Sequence, residues 1–160
     1  MDVCFNSKGS GDLNISVECM SLQETYGISD CLLYRSSVSN SDTFNIPLPQ
    51  HFTITSTVTR TSSSGSYCYG ILTDYQFGVL REKGSLSVRI GTDNPFADNN
   101  SSIIPLNTAT LMTYEYNNGV HSLNANNVTV TGTNTQYSIG NFTRMNITRY
   151  TVTDLKIKPL

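Results

Sequence analysis

Between Phe52 and Arg60 the chain reads Phe-Thr-Ile-Thr-Ser-Thr-Val-Thr-Arg. On an extended backbone Phe52, Ile54 and Val58 fall on one side, and Thr53, Thr55, Thr57 and Thr59 on the other. A period of two marks a strand with one buried face and one wet face, and β-branched residues suit that pleated surface. Polar turn signals punctuate the next thirty residues. The serine-glycine cluster at 62–66 and the step Glu82-Lys83-Gly84 read as hairpin loops. Residues 52–90 are therefore expected to form a meander of three or four antiparallel strands.

The same pattern recurs along the chain. Leu13, Ile15, Val17 and Cys19 alternate with polar residues, so 13–20 reads as a strand, and 21–29 as at most one helical turn. Pro47 and Pro49 cannot donate to a ladder, which places 42–49 at an edge or strand end. Residues 91–107 hold the densest turn signal, Asp93-Asn94-Pro95-Phe96-Ala97-Asp98-Asn99-Asn100, and read as a long surface loop. Residues 110–116 form a strand with Met112, Tyr114 and Tyr116 on one face. Asn117-Asn118-Gly119 closes it as a hairpin, because asparagine and glycine accept positive φ cheaply. Asn126-Asn127 turns again into Val128. Residues 136–139 and 141–146 read as connections to a last strand over 147–157. Strands spaced by roughly 8–12 residues, roughly ten to twelve in all, indicate an all-β sandwich of two antiparallel sheets. No stretch of helical period is present.

A chain of 160 residues suits one domain, 1–160, and buries roughly 70% of its unfolded surface without a metal or staple. Only 14% of residues are charged and the net charge is −2, with four lysines and six arginines scattered. That argues against nucleic acid as a partner, which needs clustered cations. No apolar run approaches the ~18 residues of a membrane span, so no membrane insertion is expected. The start, Met1-Asp2-Val3-Cys4, lacks the form of a signal peptide. The abundance of Ser, Thr and Asn suits a virion, extracellular or cell-surface module. Cys4, Cys19, Cys31 and Cys68 include no Cys-x-x-Cys pair, which argues against zinc. An even count allows two disulfides, but buried free thiols in strands are the preferred reading.

Two stretches carry a family resemblance. One is Tyr75-Gln76-Phe77-Gly78-Val79-Leu80 followed by Leu86-Ser87-Val88-Arg89-Ile90. The other is 111–132 together with Tyr150-Thr151-Val152-Thr153-Asp154-Leu155-Lys156-Ile157-Lys158. Over residues 30–160 the chain resembles laminin-G-like and concanavalin A-like jelly rolls. That resemblance implies a jelly-roll sandwich of the kind found in carbohydrate-binding modules and in phage tail, fibre and capsid-decoration proteins. The chain departs from it in two ways. It lacks the Glu-x-Asp-x-x-Glu signature of the family's glucanases, and it has no tryptophan for sugar stacking.

Nine tyrosines stand against that absence of tryptophan. A tyrosine offers an aromatic plane and a hydroxyl, which together suit a sugar. Tyr67 and Tyr69 share one strand face, and Tyr114 and Tyr116 another. Tyr114, Tyr116, Asn117, Asn118 and His121 are the expected glycan-binding set, with Tyr116 the more exposed of its pair. Asp93, Asn94 and Asp98 supply hard oxygens for a calcium ion, the only cofactor considered, against the plainer reading of a solvated turn. Six sequons, at Asn14, Asn99, Asn100, Asn127, Asn141 and Asn146, would be glycosylation acceptors in a secreted eukaryotic or archaeal protein, and several of them are what a chain rich in Asn, Ser and Thr produces by chance. The resulting expectation is a non-catalytic module of a virion or cell surface that binds glycan for host attachment. A structural virion component without a glycan ligand, and a glucanase-like hydrolase, are the alternatives. Expected partners are glycan, other virion proteins and further copies of the chain, as a homo-oligomer, and a trimer in a fibre or decoration protein.

Overall fold

The computed structural model describes residues 32–72, 75–80, 84–90, 97–99, 101–135 and 138–160. Twelve strands occupy them, and no α-helix occurs among the described residues. The expected strand at 13–20, the helical turn at 21–29, and Cys4, Cys19 and Cys31 lie outside the described residues.

The alternating threonine-rich stretch is β3 (His51–Arg60), and its alternation is complete: every second residue from Phe52 to Arg60 is buried. It lies in a six-stranded sheet ordered β1-β12-β3-β8-β9-β10, where β1 is Leu33–Val38, β8 Ala109–Asn117, β9 Val120–Ala125, β10 Val128–Thr133 and β12 Tyr150–Pro159. The second sheet is ordered β2-β11-β4-β5-β6-β7, with β2 Ile46–Pro47, β4 Tyr67–Leu72, β5 Tyr75–Leu80, β6 Leu86–Ile90, β7 Ala97–Asn99 and β11 Asn141–Thr148. All strand pairs are antiparallel. The fold is the expected two-sheet antiparallel sandwich.

Its connectivity corrects the expected meander. β3 pairs with β12 and β8, not with β4. Residues 61–66 carry the chain from one sheet to the other, so they form a corner and not a hairpin. The meander proper is β4-β5-β6-β7. The end of the chain is corrected in the same way. Residues 141–146 belong to strand β11, and a single residue, Arg149 at φ 58°, separates β11 in one sheet from β12 in the other. The two corners meet. Thr61 N–H donates to the Arg149 carbonyl (2.9 Å), and Arg149 Nη1 donates to the carbonyl (2.7 Å) and hydroxyl (3.1 Å) of Ser64. These bonds occupy backbone groups that leave one ladder before reaching the next.

Both expected hairpin turns form. Asn118 (φ 46°) with Gly119 (φ 93°), and Asn126 (φ 48°) with Asn127 (φ 62°), are two-residue loops with positive φ at both positions. That geometry matches the right-handed twist of the flanking strands. The expected surface loop over 91–107 is corrected at two places. Ala97–Asn99 is strand β7, paired with β6 at the sheet edge. Ile104 is fully buried, held by its N–H and that of Ile103 donating to the Gly84 carbonyl (3.0 and 3.1 Å).

The core joins the two sheets through aromatic rings. Phe52 lies 5.5 Å from Tyr116 and 6.1 Å from Tyr114; Phe77 lies 4.8 Å from Tyr114 and 6.1 Å from Phe142, which stacks on Phe44 at 5.3 Å. Gly70 lets Phe77 reach this cluster, since a Cβ there would sit 2.2 Å from two ring carbons. Gly70→Ala should destabilise the fold by about 1–3 kcal/mol through overpacking. Urea titration checks this, and an unchanged midpoint would show that the ring can step aside.

Candidate functional site

The structure separates the residues expected to form one site. Tyr114 is 1% exposed, Tyr116 4% and His121 0%. The expectation that Tyr116 stands exposed for stacking is therefore corrected: it points between the sheets. The reason is strand parity. Met112, Tyr114 and Tyr116 share one face of β8, and cross-strand from Tyr116 and Tyr114 stand His121 and Leu123. That is the core side, and Met112 in the same row is the sequence signal for it. Tyr114 and His121 form a buried polar pair, with the hydroxyl 2.7 Å from Nδ1. Burial lowers the His121 pKa to about 4, against a backbone hydrogen bond at Asn134 that works to raise it. Burial, and then the neighbouring Tyr116, raises the Tyr114 pKa. Asn117 and Asn118 are exposed, but they serve the turn. Asn118 N–H donates to the Gln50 carbonyl (2.8 Å), and its side-chain amide to Asn117 Oδ1 (2.9 Å). Of the expected calcium ligands, Asp93 and Asn94 lie outside the described residues. Asp98 is placed in β7, opposite Ser87, rather than in a surface loop.

The other tyrosine pair faces solvent. On β4, Cys68 and Gly70 point into the core, so Tyr67 and Tyr69 stand on the outer face of their sheet. Tyr67 is 38% exposed and Tyr69 half-buried. Their cross-strand partners on β11 are Thr148 and Asn146. The Asn146 side-chain amide donates to the Tyr69 hydroxyl, which locks that ring against the sheet.

Next to this ledge, the outer edge of β11 is only partly covered, because β2 pairs with it at Asn141 and Phe142 alone. Asn40 takes the place of a strand further along. Its side-chain amide donates to the Ile147 carbonyl (2.6 Å), and the Ile147 N–H donates back to Asn40 Oδ1 (2.6 Å). Beside Asn40, a cleft of about 570 Å³ opens between β1, β11 and β12. Val38, Ile147 and Val152 give it an apolar floor, and Ser37, Ser39, Asn40, Thr151 and Thr153 a polar rim. Nothing in that lining carries a formal charge. Tyr150 closes the inner end. Its pKa is raised by burial first and by Cys68 second, while Arg60, its cross-strand partner, works to lower it. Cys68 is a free buried thiol, in line with the preferred reading of the sequence, and burial pushes its pKa up to about 12.

The chain of contacts Asn40, Ile147, Asn146, Tyr69 thus joins an uncharged cleft to a tyrosine ledge across a single strand. Concave sites with an apolar floor and a few fixed polar groups are what small-molecule recognition uses. Among the described residues, no group of three or more His, Cys, Asp or Glu side chains could hold a metal ion. The described acidic side chains with partners are dispersed: Glu115 is 3.0 Å from His51 Nε2, Asp154 accepts from the Tyr34 hydroxyl at 3.1 Å, and Asp42 accepts from the Ser39 backbone N–H at 2.8 Å.

No protein-family model matches the chain, and no curated protein matches it in sequence. Solved structures do. Galectin LEC-6 of Caenorhabditis elegans superposes with a TM-score of 0.56 at 12% identity, covering 77% of this chain and 96% of the galectin. The carbohydrate-binding module CBM66 from Bacillus subtilis gives 0.55 at 12% identity, covering 74% and 78%. Trypanosoma rangeli sialidase, in complex with 2,3-difluorosialic acid, gives 0.53 at 15% identity over 83% of this chain. The chain spans only 26% of that sialidase. None of these likenesses points to phage proteins. At such identities they speak to fold alone, and together with the strand order they establish that this chain is a two-sheet antiparallel β-sandwich.

Proposed function

We propose that the protein is a non-catalytic glycan-binding module displayed on a virion or cell surface, where it serves attachment. The observation that carries this reading is the continuity of the Tyr67–Tyr69 ledge with the uncharged, hydroxyl- and amide-rimmed cleft through Asn146 and Asn40. A sugar ring has one apolar face and a periphery of hydroxyls. Tyr67 offers a plane for the first, and the Tyr69 hydroxyl, Asn40, Thr151 and Ser39 offer partners for the second. The absence of charge in the lining favours a neutral glycan. Two of the fold's structural neighbours, by their names a galectin and a carbohydrate-binding module, lend the reading support.

A glycan array followed by calorimetry on the selected ligand tests it. Tyr67→Ala should weaken binding roughly tenfold, equivalent to about 1.4 kcal/mol, and leave the melting temperature nearly unchanged because the ring is exposed. Tyr69→Phe should weaken it too, by removing the hydroxyl that Asn146 positions. Binding that survives both changes would place the site elsewhere. An array silent under multivalent display would favour a structural role without a glycan ligand.

A further inference from the structure

Edge strands expose unpaired backbone groups, and proteins blunt them with shortness, proline or charge. Among the described residues, three of the four edges are blunted in this way. β7 has three residues, β2 has two including Pro47, and β1 carries Arg35 at its middle. β10 is different. It is a six-residue strand, Val-Thr-Val-Thr-Gly-Thr, with no proline. No Asp, Glu, Lys or Arg falls anywhere between Tyr116 and Thr143.

The turn fixes which backbone groups of β10 face away from β9, where no strand pairs with them among the described residues. Asn126-Asn127 is a two-residue loop closed by the pair Ala125 and Val128. In such a hairpin the closing pair exchanges hydrogen bonds, and bonded pairs then alternate along the ladder. Val128, Val130 and Gly132 therefore bond to β9, opposite Ala125, Leu123 and His121. Thr129, Thr131 and Thr133 turn their N–H and C=O groups away from it, and their side chains are exposed. The Thr129 and Thr131 hydroxyls are already held by Asn124 (2.7 Å) and Ser122 (3.2 Å), so these side chains lie along the sheet rather than across the open edge.

We propose that β10 is a homodimerisation edge, pairing antiparallel with β10 of a second copy about a two-fold axis at Thr131. The pattern is self-complementary. With Thr131 opposite its own counterpart, Thr129 falls opposite Thr133, and all three residues turn their outward N–H and C=O groups to a partner that offers the same set. A two-fold interface requires this isologous match. The uncharged strand brings no like charge against itself, and the sheet continues across the dyad from β9 and β10 of one copy into the other. The expected homo-oligomer is on this basis a pair rather than a trimer, and it sets two glycan ledges on one particle, with the gain in avidity that multivalency brings.

Thr131→Pro tests the edge selectively. It deletes an outward N–H while leaving every backbone bond from β10 to β9 intact and giving up only the exposed hydroxyl contact with Ser122, and proline is tolerated on an edge strand. Light scattering of the full chain at micromolar concentration should give a dimer mass for the wild type and a monomer mass for Thr131→Pro, with unchanged far-UV circular dichroism. Hydrogen exchange on the wild type reads the same edge without mutation. The Thr129, Thr131 and Thr133 amides should gain protection as concentration rises, while Val130 stays protected throughout. A monomeric wild type, a dimer that Thr131→Pro does not dissociate, or fast concentration-independent exchange at those three amides would each overturn the proposal.

Discussion

Tyr114→Ala should lower stability by about 3–5 kcal/mol, the range for truncating a buried aromatic side chain. For a domain of this size the melting temperature should fall by roughly 10–20 °C. The effect is large because Tyr114 stands at the junction of the two sheets. Its ring packs 6.1 Å from Phe52 and 4.8 Å from Phe77, one from each sheet, and it holds His121 through its hydroxyl. Tyr114→Phe separates these roles. The ring remains and only the hydroxyl is lost, so the cost should be about 1–3 kcal/mol for the buried imidazole partner left behind. Thermal melts of the two variants beside Tyr67→Ala give the comparison. A loss under about 3 °C for Tyr114→Ala would mean that the cluster repacks and that the inter-sheet core is softer than its geometry implies.

Acid should expose the second large effect. His121 is buried neutral, with its pKa lowered to about 4 by burial from an ordinary value of 6.5. Protonation is therefore easier in the unfolded chain than in the folded one. The stabilisation that depends on a neutral His121 is fully present above pH 6.5, and it is lost as pH falls through the window down to about 4. The loss should total about 3 kcal/mol, at about 1.4 kcal/mol per pH unit. Denaturant midpoints measured from about pH 7.5 to about pH 4 follow it directly. His121→Gln is less stable at neutral pH but lacks the titrating group, so its profile over this window should be flatter than the wild type's. Parallel profiles for the two proteins would assign the acid sensitivity to carboxylates instead.

Both expectations turn on residues whose chemistry is legible in the sequence and whose location is not. Aromatic and imidazole groups beside an Asn-Gly turn resemble a binding surface, which is why Tyr114, Tyr116 and His121 read as one. Strand parity puts Met112 in the same row, and the structure shows that row facing Phe52 and Phe77. The exposed pair, Tyr67 and Tyr69, is visible in the sequence as a pair, but its neighbours are not. Asn146 and Asn40 lie 77 and 107 positions from the residues they hold, Tyr69 and Ile147. No local pattern encodes such contacts.

What the amino-acid order determined by itself is everything that acts over a few residues. Alternation set the buried face from Phe52 to Val58, and along β8 it set which residues share a face but not which face is buried, because side chains of an extended backbone point to opposite sides in turn. Asn118-Gly119 and Asn126-Asn127 set two hairpins, because those residues adopt positive φ at little cost. Pro47 set an edge by lacking a donor. Sheet membership was decided only by tertiary structure. A serine-rich linker can close a hairpin or cross to another sheet with equal local propriety, and residues 61–66 cross because β12 and β8 take both edges of β3. Arg149 likewise divides one apparent strand into two, and what holds it is Ser64, 85 residues away. Pairing is a competition among distant segments for the same backbone groups, so its outcome is a property of the assembled sandwich and not of any one stretch of chain.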